Sequence, residues 1–506
     1  MHIAFLNPQG NFDPHDSHLT EHPDFGGQLV YVKYVAIAMA EQGHKVDILT
    51  RQIIDSEWPQ FADKFDSYPN VENVRIIRLP AGPKHFLRKE SLWRHLVKDW
   101  VPNVMELYQA EGGFPHAFTA HYGDGGLCGV LLEAATGIPF TFTGHSLGAQ
   151  KMDKLEVAPE NIEGMDRHFR FARRLVAERL SMNRSAVNIT STEGERFEQY
   201  SHYAYRGAVN VKEDKRFSII APGVDANTFS AKVTCPSEEK TQQIVRDRMK
   251  RDLDEDRLEL PVILASSRLA PKKNLQGLVD AFACSETLQK QANLVLITSG
   301  LENPLQEETP DDETERVLMP IRKVVKEKNL WGKISAFSLP DQPALAACYR
   351  LLAQRQSVFA LTSLFEPFGL APLEAAAAGL PLVVTEKSGL KEILKTEHQE
   401  YAILVDPEDP QDIARGLEEL IGDKNRWKDL RSRCQKLVLK DYTWHSTGRE
   451  YLKVIEELLQ EPNTRRPEKV LTIPTFFRKP IAAFDFTLEQ LKEIYLIPEQ
   501  ADKEQE

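Results

Sequence analysis

Cysteine is scarce in this sequence. Five occur in 506 residues (Cys128, Cys235, Cys284, Cys348 and Cys434), and no two stand in a CxxC spacing. An odd, scattered set reads as free thiols of a reducing cytoplasm and excludes both a disulfide framework and a zinc site. No uninterrupted apolar run approaches the roughly 20 residues of a membrane-spanning helix. The opening MHIAFLNPQG enters a strand-like run without a basic or long apolar leader, so no signal peptide is expected. Positive charge is also in deficit: 63 Lys and Arg against 75 Asp and Glu leave a net charge of −12. That balance argues against nucleic acid and anionic membrane surfaces as partners. It also requires any phosphate-bearing substrate to meet cations gathered locally. Solenoid-period repeats are lacking, and the one biased stretch is a modest acidic insert at 307–315.

What is present is ordinary for a globular chain, with 42% hydrophobic and 27% charged residues. The length exceeds what one core supports and suits two domains. Strand-like runs at 2–7, 45–50, 75–79, 117–121, 140–143, 186–190 and 217–220 alternate with helical patterns at 28–42 and 167–180. A charged, poorly patterned stretch at 232–258 interrupts this alternation. It then restarts with strands at 262–266, 294–298, 334–337, 358–361, 382–385 and 402–405, before a helical segment at 409–459 and a polar tail. Such alternation means parallel sheets covered by helices on both faces. The expectation is therefore two doubly wound, Rossmann-like α/β domains, 1–222 and 223–445, facing each other across a cleft, with helices in 446–506 packing back on the first.

The stretch 357–380, SVFALTSLFEPFGLAPLEAAAAGL, is a strand, a non-helical connection and an alanine-rich helix stopped by Gly379 and Pro381. Glu366 falls in the connection and Glu374 in the helix. Ligands of open α/β sheets bind outside the carboxyl ends of strands, where Glu366 stands; two glutamates alone could equally be solvated surface groups. In PDFGGQLVYVK, Gly26 and Gly27 precede a helix with a core face of Leu29, Val32, Val35, Ala36 and Met39. Two glycines there make either an anion site of exposed amides or merely a sharp turn. In FTFTGHSLGAQK, His145 follows a strand in a loop from which it can reach a ligand. A lone histidine there is more often structural, and no second histidine sits at metal-ligand spacing. In SSRLAPKKN, Arg268 and Lys273 stand before a helix start, where the dipole disfavours cations. That misplacement favours a clamp for a diphosphate leaving group. Lys89, Lys151 and the pair Arg173 and Arg174 are dispersed, and each alone reads as a solvated basic residue.

The run EPFGLAPLEAAAAGLPLV resembles the donor-binding signature of retaining GT-B glycosyltransferases of family 4. Blocks in order, FLNPQGNFDP, EHPDFGGQLVYVK, HYGDGG, GHSLGAQKM, SSRL, FEPFGLAPLEA and LVDPEDP, are similar to the bacterial-type sucrose-phosphate synthase family over nearly the whole chain. The resemblance implies a GT-B fold and transfer of glucose from UDP-glucose to fructose 6-phosphate with retention, giving sucrose 6-phosphate and UDP. By the same resemblance Arg268 and Lys273 neutralise the leaving diphosphate, Glu374 binds the ribose, and Glu366 holds the donor glucose. Gly27 and the Phe368, Gly369 and Leu370 loop support the donor, and His145 contacts its glucose. Gly26, Gln28, Tyr122 and Ser146 meet the acceptor, with Lys89, Lys151 and Arg174 on its phosphate. No cofactor is required, with Mg2+ at most an activator, and a separate sucrose-phosphate phosphatase is expected downstream. The sequence departs from the family in Ser388-Gly389-Leu390, where a glycine-glycine-proline loop is common, and in Ala270-Pro271, where an acidic residue is frequent at the first position. Asp485 in AAFDFT lacks the second aspartate of a phosphatase motif, so no fused phosphatase domain is expected. A sucrose synthase using free fructose, a non-catalytic nucleotide-sugar-binding protein, and a hydrolysing or epimerising relative remain the alternatives.

Overall fold

The computed structural model describes residues 1–18, 27–233, 237–461 and 465–496; Gly26 and Cys235 therefore lie outside the described residues. The chain forms two compact units, Met1–Ala221 with Thr447–Glu506, and Pro222–Ser446.

Eight strands build the sheet of the first unit: β1 (His2–Leu6), β2 (Lys45–Arg51), β3 (Phe65–Asp66), β4 (Val74–Leu79), β5 (Ala117–His121), β6 (Phe140–Thr143), β7 (Val187–Thr190) and β8 (Phe217–Ile219). Their order is β3-β4-β2-β1-β5-β6-β7-β8. All neighbours are parallel except the short edge pair of β3 and β4. The central strands are apolar runs because helices cover both faces: Ile3, Ala4, Phe5 and Leu6 are all fully buried. The register sets Phe5 beside Ile48 of β2 and Thr119 of β5. The first helix, Gly27–Glu41, buries the predicted face and also Val30, Tyr31, Ala38 and Ala40.

The second unit carries β9 (Val262–Ser266), β10 (Asn293–Thr298), β11 (Ile334–Ser338), β12 (Val358–Leu361), β13 (Leu382–Thr385) and β14 (Ile403–Val405). They lie all parallel in the order β11-β10-β9-β12-β13-β14. In both units the first strand lies inside the sheet and the strand order reverses beside it, between β1 and β5 and between β9 and β12. That reversal opens a crevice at the carboxyl ends of the two neighbouring strands.

Several expectations need correction. The stretch 232–258 contains a regular helix, Glu238–Asp252, whose charged composition hides a narrow stripe of Thr241, Val245 and Met249. The helix expected at 167–180 is two helices, Ile162–Phe169 and Phe171–Arg184, broken at Arg170, whose φ of 54° is left-handed. The helical segment at 409–459 is also divided, with Asp409 and Asp423 each accepting amide hydrogen bonds as N-caps of the helices Pro410–Gly422 and Lys424–Asp441. A third helix, Trp444–Gln460, follows. In the tail, read from the sequence as polar, Phe476, Phe477, Leu491 and Tyr495 are buried in the first unit's core. Asp485 receives two hydrogen bonds from Arg173, the first at 2.9 Å.

Where the chain enters the second unit, Val224 donates to the Tyr442 carbonyl at 2.9 Å and accepts from Trp444 at 3.2 Å. A Cβ on Gly223 would lie 2.1 Å from the Thr443 carbonyl carbon, so only glycine allows this crossing. Gly223→Ala is expected to cost roughly 2 kcal/mol or more and lower the unfolding temperature. Gly164→Ala, on an exposed helical position with nothing within 4 Å of the added Cβ, is expected to raise it by about 0.5–1 kcal/mol. Thermal melts of the two variants beside wild type check both signs.

Candidate active site

In the second unit the loops after β9 and β12 are bonded together. Asn274, left-handed with φ 51°, caps the helix Leu275–Cys284 by accepting from the Gly277 amide at 3.2 Å. Its side-chain amide donates to the carbonyls of Thr362 at 3.0 Å and Pro407 at 2.7 Å, and Thr362 Oγ1 returns a bond to the Asn274 carbonyl at 3.1 Å. Leu364 donates its amide to the Lys272 carbonyl at 2.9 Å. The geometry brings Lys273 and Glu366 into an ion pair in which both side chains are mostly buried.

The Glu366 loop is held from its far side by the departing segment. Glu366 donates to Lys387 and accepts from Gly389, each at 3.1 Å, and the Ser388 hydroxyl donates to the Phe368 carbonyl at 2.9 Å. Ser388-Gly389-Leu390 thus braces the loop that its departure from the family pattern put in question. Gly369 sits at φ 94°, and a Cβ there would approach Glu366 Cγ to 2.9 Å. The helix Leu370–Ala378 begins at the next residue, so the amides of this loop stand at its positive end. Glu374 lies half-buried on that helix. Burial pushes its carboxyl up to about 7, and the Asp225 carboxylate adds to the shift. Arg268 is exposed and, among the described residues, carries no ion pair.

In the first unit, β5 and β6 end side by side. Tyr122 (φ 65°) and His145 (φ 57°) both hold left-handed backbone, a conformation that side chains of this size adopt only under tertiary constraint. His145 bonds through Nε2 to His121 Nδ1 at 2.9 Å, and His121 Nε2 meets Thr119 Oγ1 at 2.9 Å. Burial holds His145 down to about 3 and His121 well below its ordinary value, so both imidazoles are neutral at physiological pH. The second histidine absent at sequence spacing is thus present across two strands.

After His145, both oxygens of the buried Glu178 accept from the Gly148 amide at 2.9 Å. The same carboxylate accepts from Arg174 Nε at 2.8 Å and from the Tyr205 hydroxyl at 2.5 Å. Arg174 also donates to the Ser146 carbonyl, and its guanidinium lies 4.5 Å over the Tyr122 ring. Lys151 lies over Phe169 at 3.9 Å. Lys151, Arg174, Tyr122 and Phe169 border one small cavity of ≈20 Å³, whose remaining lining is Lys89, Glu90, Trp93 and Asp124. The dispersed basic positions Lys89, Lys151 and Arg174 are therefore neighbours, whereas Arg173 is engaged with Asp485 away from it. Gln28 is buried, and among the described residues neither end of its amide meets a hydrogen-bond partner. Gly27 opens its helix with nothing among the described residues within 4 Å of an added Cβ, and Ser146 is exposed. A roomier cavity of ≈570 Å³, lined by Arg206, Arg216 and Lys469 among others, contains none of the expected site residues.

Residues that sequence reasoning passed over are His121, Asp124, Glu178, Asn274 and the bracing role of Ser388. His121 and Asp124 belong to the block HYGDGG, and Glu178 stands four residues after Arg174 on one helix. Both signals were therefore available in the sequence.

Among the described residues, no group of three or more His, Cys, Asp or Glu side chains is arranged to hold a metal ion, and no helix is long and apolar enough to cross a membrane. Two α/β units built on largely parallel sheets, the second with Lys273 and Glu366 brought together at its switch point and the first with His121 and His145 at the ends of β5 and β6, have the architecture of a glycosyltransferase of the GT-B fold. The family models agree: "Glycosyl transferase 4-like domain" matches residues 26–203 and "Glycosyl transferases group 1" matches residues 247–437. The chain belongs to the sucrose-phosphate synthase family. It is 40% identical over 479 residues to a probable sucrose-phosphate synthase of Thermosipho melanesiensis, covering 95% of this chain and 99% of that one. It is 30% identical to sucrose-phosphate synthase 4 of Arabidopsis thaliana over 90% of this chain and 48% of that one. The chain thus spans about half the length of the plant relatives it matches. The fold matches sucrose-phosphate synthase from Thermosynechococcus elongatus with TM-score 0.63 at 23% identity, covering 91% and 99% of the two chains. It matches Anabaena HepE in complex with UDP and glucose with TM-score 0.57 at 16% identity, covering 90% and 100%.

Glu178→Ala would leave the Arg174 guanidinium buried and without its carboxylate. A loss of about 3–5 kcal/mol in unfolding free energy is expected, with Glu178→Gln costing less because it keeps the shape and some of the bonds. Urea unfolding of the two variants measures the difference.

Proposed function

We propose that this glycosyltransferase transfers glucose from UDP-glucose to fructose 6-phosphate with retention, giving sucrose 6-phosphate and UDP. One observation carries the acceptor assignment: Lys89, Lys151 and Arg174 converge on a single cavity, where they outnumber the carboxyls of Glu90 and Asp124, in a chain of net charge −12. A free sugar needs no such cluster, whereas a phosphate needs cations both to attract and to orient it against that background. The 40% identity to a probable sucrose-phosphate synthase supports the same reading.

On the donor side, Arg268 and Lys273 neutralise the diphosphate as it departs, aided by the amides opening the helix Leu370–Ala378. Lys273 must exchange part of its contact with Glu366 for the diphosphate, which leaves Glu366 available to the glucose hydroxyls. Glu374 accepts from the ribose. In the first unit His145, neutral and oriented by His121, contacts the glucose, while Gly27, Gln28, Tyr122 and Ser146 line the acceptor and phosphate side. Retention requires no carboxylate nucleophile: the leaving diphosphate oxygen takes the acceptor hydroxyl proton on the face it vacates. The protein's contribution is positioning and charge stabilisation. Its product retains the acceptor phosphate, so a separate phosphatase would consume it.

Specificity constants for fructose 6-phosphate and fructose test the reading. Wild type should favour the phosphorylated sugar by at least a hundredfold. Lys89→Ala should lose about 1.5–3 kcal/mol toward fructose 6-phosphate while its weak activity with fructose barely changes. Lys89 is the cleaner position, because Arg174→Ala also strips the buried Glu178 of its cationic partner. Equal use of both sugars would leave a sucrose synthase standing, and no turnover with either would leave a binding protein.

Arg268→Ala and Lys273→Ala should each lower kcat by roughly a hundredfold or more, the effect of removing ~2.7–4 kcal/mol from a charge that grows in the transition state. A rise in KM at unchanged kcat would remove both from the clamp.

A further inference from the structure

A carboxyl group sits inside the basic cavity of the first unit, where an acceptor phosphate would least tolerate another negative charge. Asp124 lines that cavity with Lys89, Lys151 and Arg174 and is only 3% exposed. Its Oδ1 accepts from the Gly125 amide at 2.9 Å, but among the described residues Oδ2 meets no hydrogen-bond partner. A buried, unpartnered acceptor is costly, and the positive end of the helix Tyr122–Thr136 does not account for it, since that role is met by Oδ1.

Resting on the reading that this cavity receives the acceptor's phosphate, we infer that Asp124 is a further specificity residue. As a neutral acid it donates its Oδ2 proton to a phosphate oxygen, and as a carboxylate it weakens that phosphate's binding.

Several charged and titratable groups face it. Lys89 and Glu90 come from the turn Lys89–Ser91, Lys151 from the helix Gly148–Lys154, and Arg174 and Glu178 from the helix Phe171–Arg184. Tyr122 and Cys128 come from its own helix. Burial pushes the Asp124 carboxyl up to about 7, with the Gly125 amide, Lys89 and Arg174 pulling the other way. A bound phosphate dianion offsets the pull of those cations and adds repulsion of its own. Both effects raise the carboxyl further, so binding above neutrality draws a proton from solvent onto Asp124. The acid then supplies a charge-assisted O–H···O bond, while the three cations supply the attraction. The sign follows from the pH window. Below pH 7 the acid form is already present and binding is unpenalised; above pH 7 protonation must accompany binding, and affinity falls with rising pH.

Two measurements test this. The first compares KM for fructose 6-phosphate at pH 6 and pH 8 in wild type and in Asp124→Asn, whose amide donates at every pH. Wild-type KM should rise by about tenfold more than that of the variant across this window. The second is calorimetric titration in two buffers of different ionisation enthalpy at pH 8. Wild type should take up close to one more proton per bound ligand than Asp124→Asn. Parallel KM profiles and equal proton uptake would overturn the assignment. Should Asp124→Asn fail to fold, wild type alone decides, because binding at pH 8 without net proton uptake would also overturn it. Repeating the calorimetry with inorganic phosphate separates this inference from the acceptor reading. Asp124-linked uptake with phosphate but no binding of fructose 6-phosphate keeps the residue's role and rejects that acceptor; no binding of either rejects both.

Discussion

A parallel sheet sends every carboxyl end to the same edge, and a sheet whose first strand lies inside it must reverse its winding there. In the second unit that reversal falls between β9 and β12, so the loops leaving the two strands meet although 93 residues separate Lys273 from Glu366. Asn274 fixes the meeting with bonds to three backbone groups from other segments or turns. In the first unit β5 and β6 are hydrogen-bonded neighbours, and their ends bring His121 against His145. The candidate residues are where they are because strand order leaves no other exit for these loops.

Charge is managed by burial and pairing. The Glu178 carboxylate organises the wall of the first unit's small cavity: it holds the Gly148 amide that opens one helix and the Arg174 guanidinium carried by another. Arg174 in turn reaches the Ser146 carbonyl and the face of Tyr122. Three elements are thereby bonded through one buried anion, which fixes the spacing of the cations around the cavity. Walls held in this way need little reordering when any ligand enters, which is worth more to binding than added contacts.

The tail contributes to the same wall. Phe477 packs against Trp93, which lines the cavity, with ring centroids 6.3 Å apart, and Tyr495 donates to Asp153 at 2.7 Å. Arg173, adjacent in sequence to Arg174, turns to Asp485. Neighbours on one helix face different partners because successive side chains point about 100° apart.

Local pattern was enough for the strands. Apolar runs bounded by turn residues mark β1, β9, β12 and β13 because a strand buried on both faces must be apolar throughout. The Gly379 stop after the alanine-rich helix is legible because its left-handed backbone is open to glycine. Pattern failed where a helix was charged on most of its surface, as at Glu238–Asp252, or was broken by a left-handed residue that is not glycine, as at Arg170. The motif residues Glu366, Arg268, Lys273 and His145 were visible as letters next to strand ends. The resemblance already grouped Lys89, Lys151 and Arg174, which no local pattern did; that His121 reaches His145, and that Asp124 is buried with one oxygen unpaired among the described residues, were decided only by the fold. Each depends on which strands become neighbours and which groups lose water, and both are set by long-range packing that no local stretch of sequence encodes.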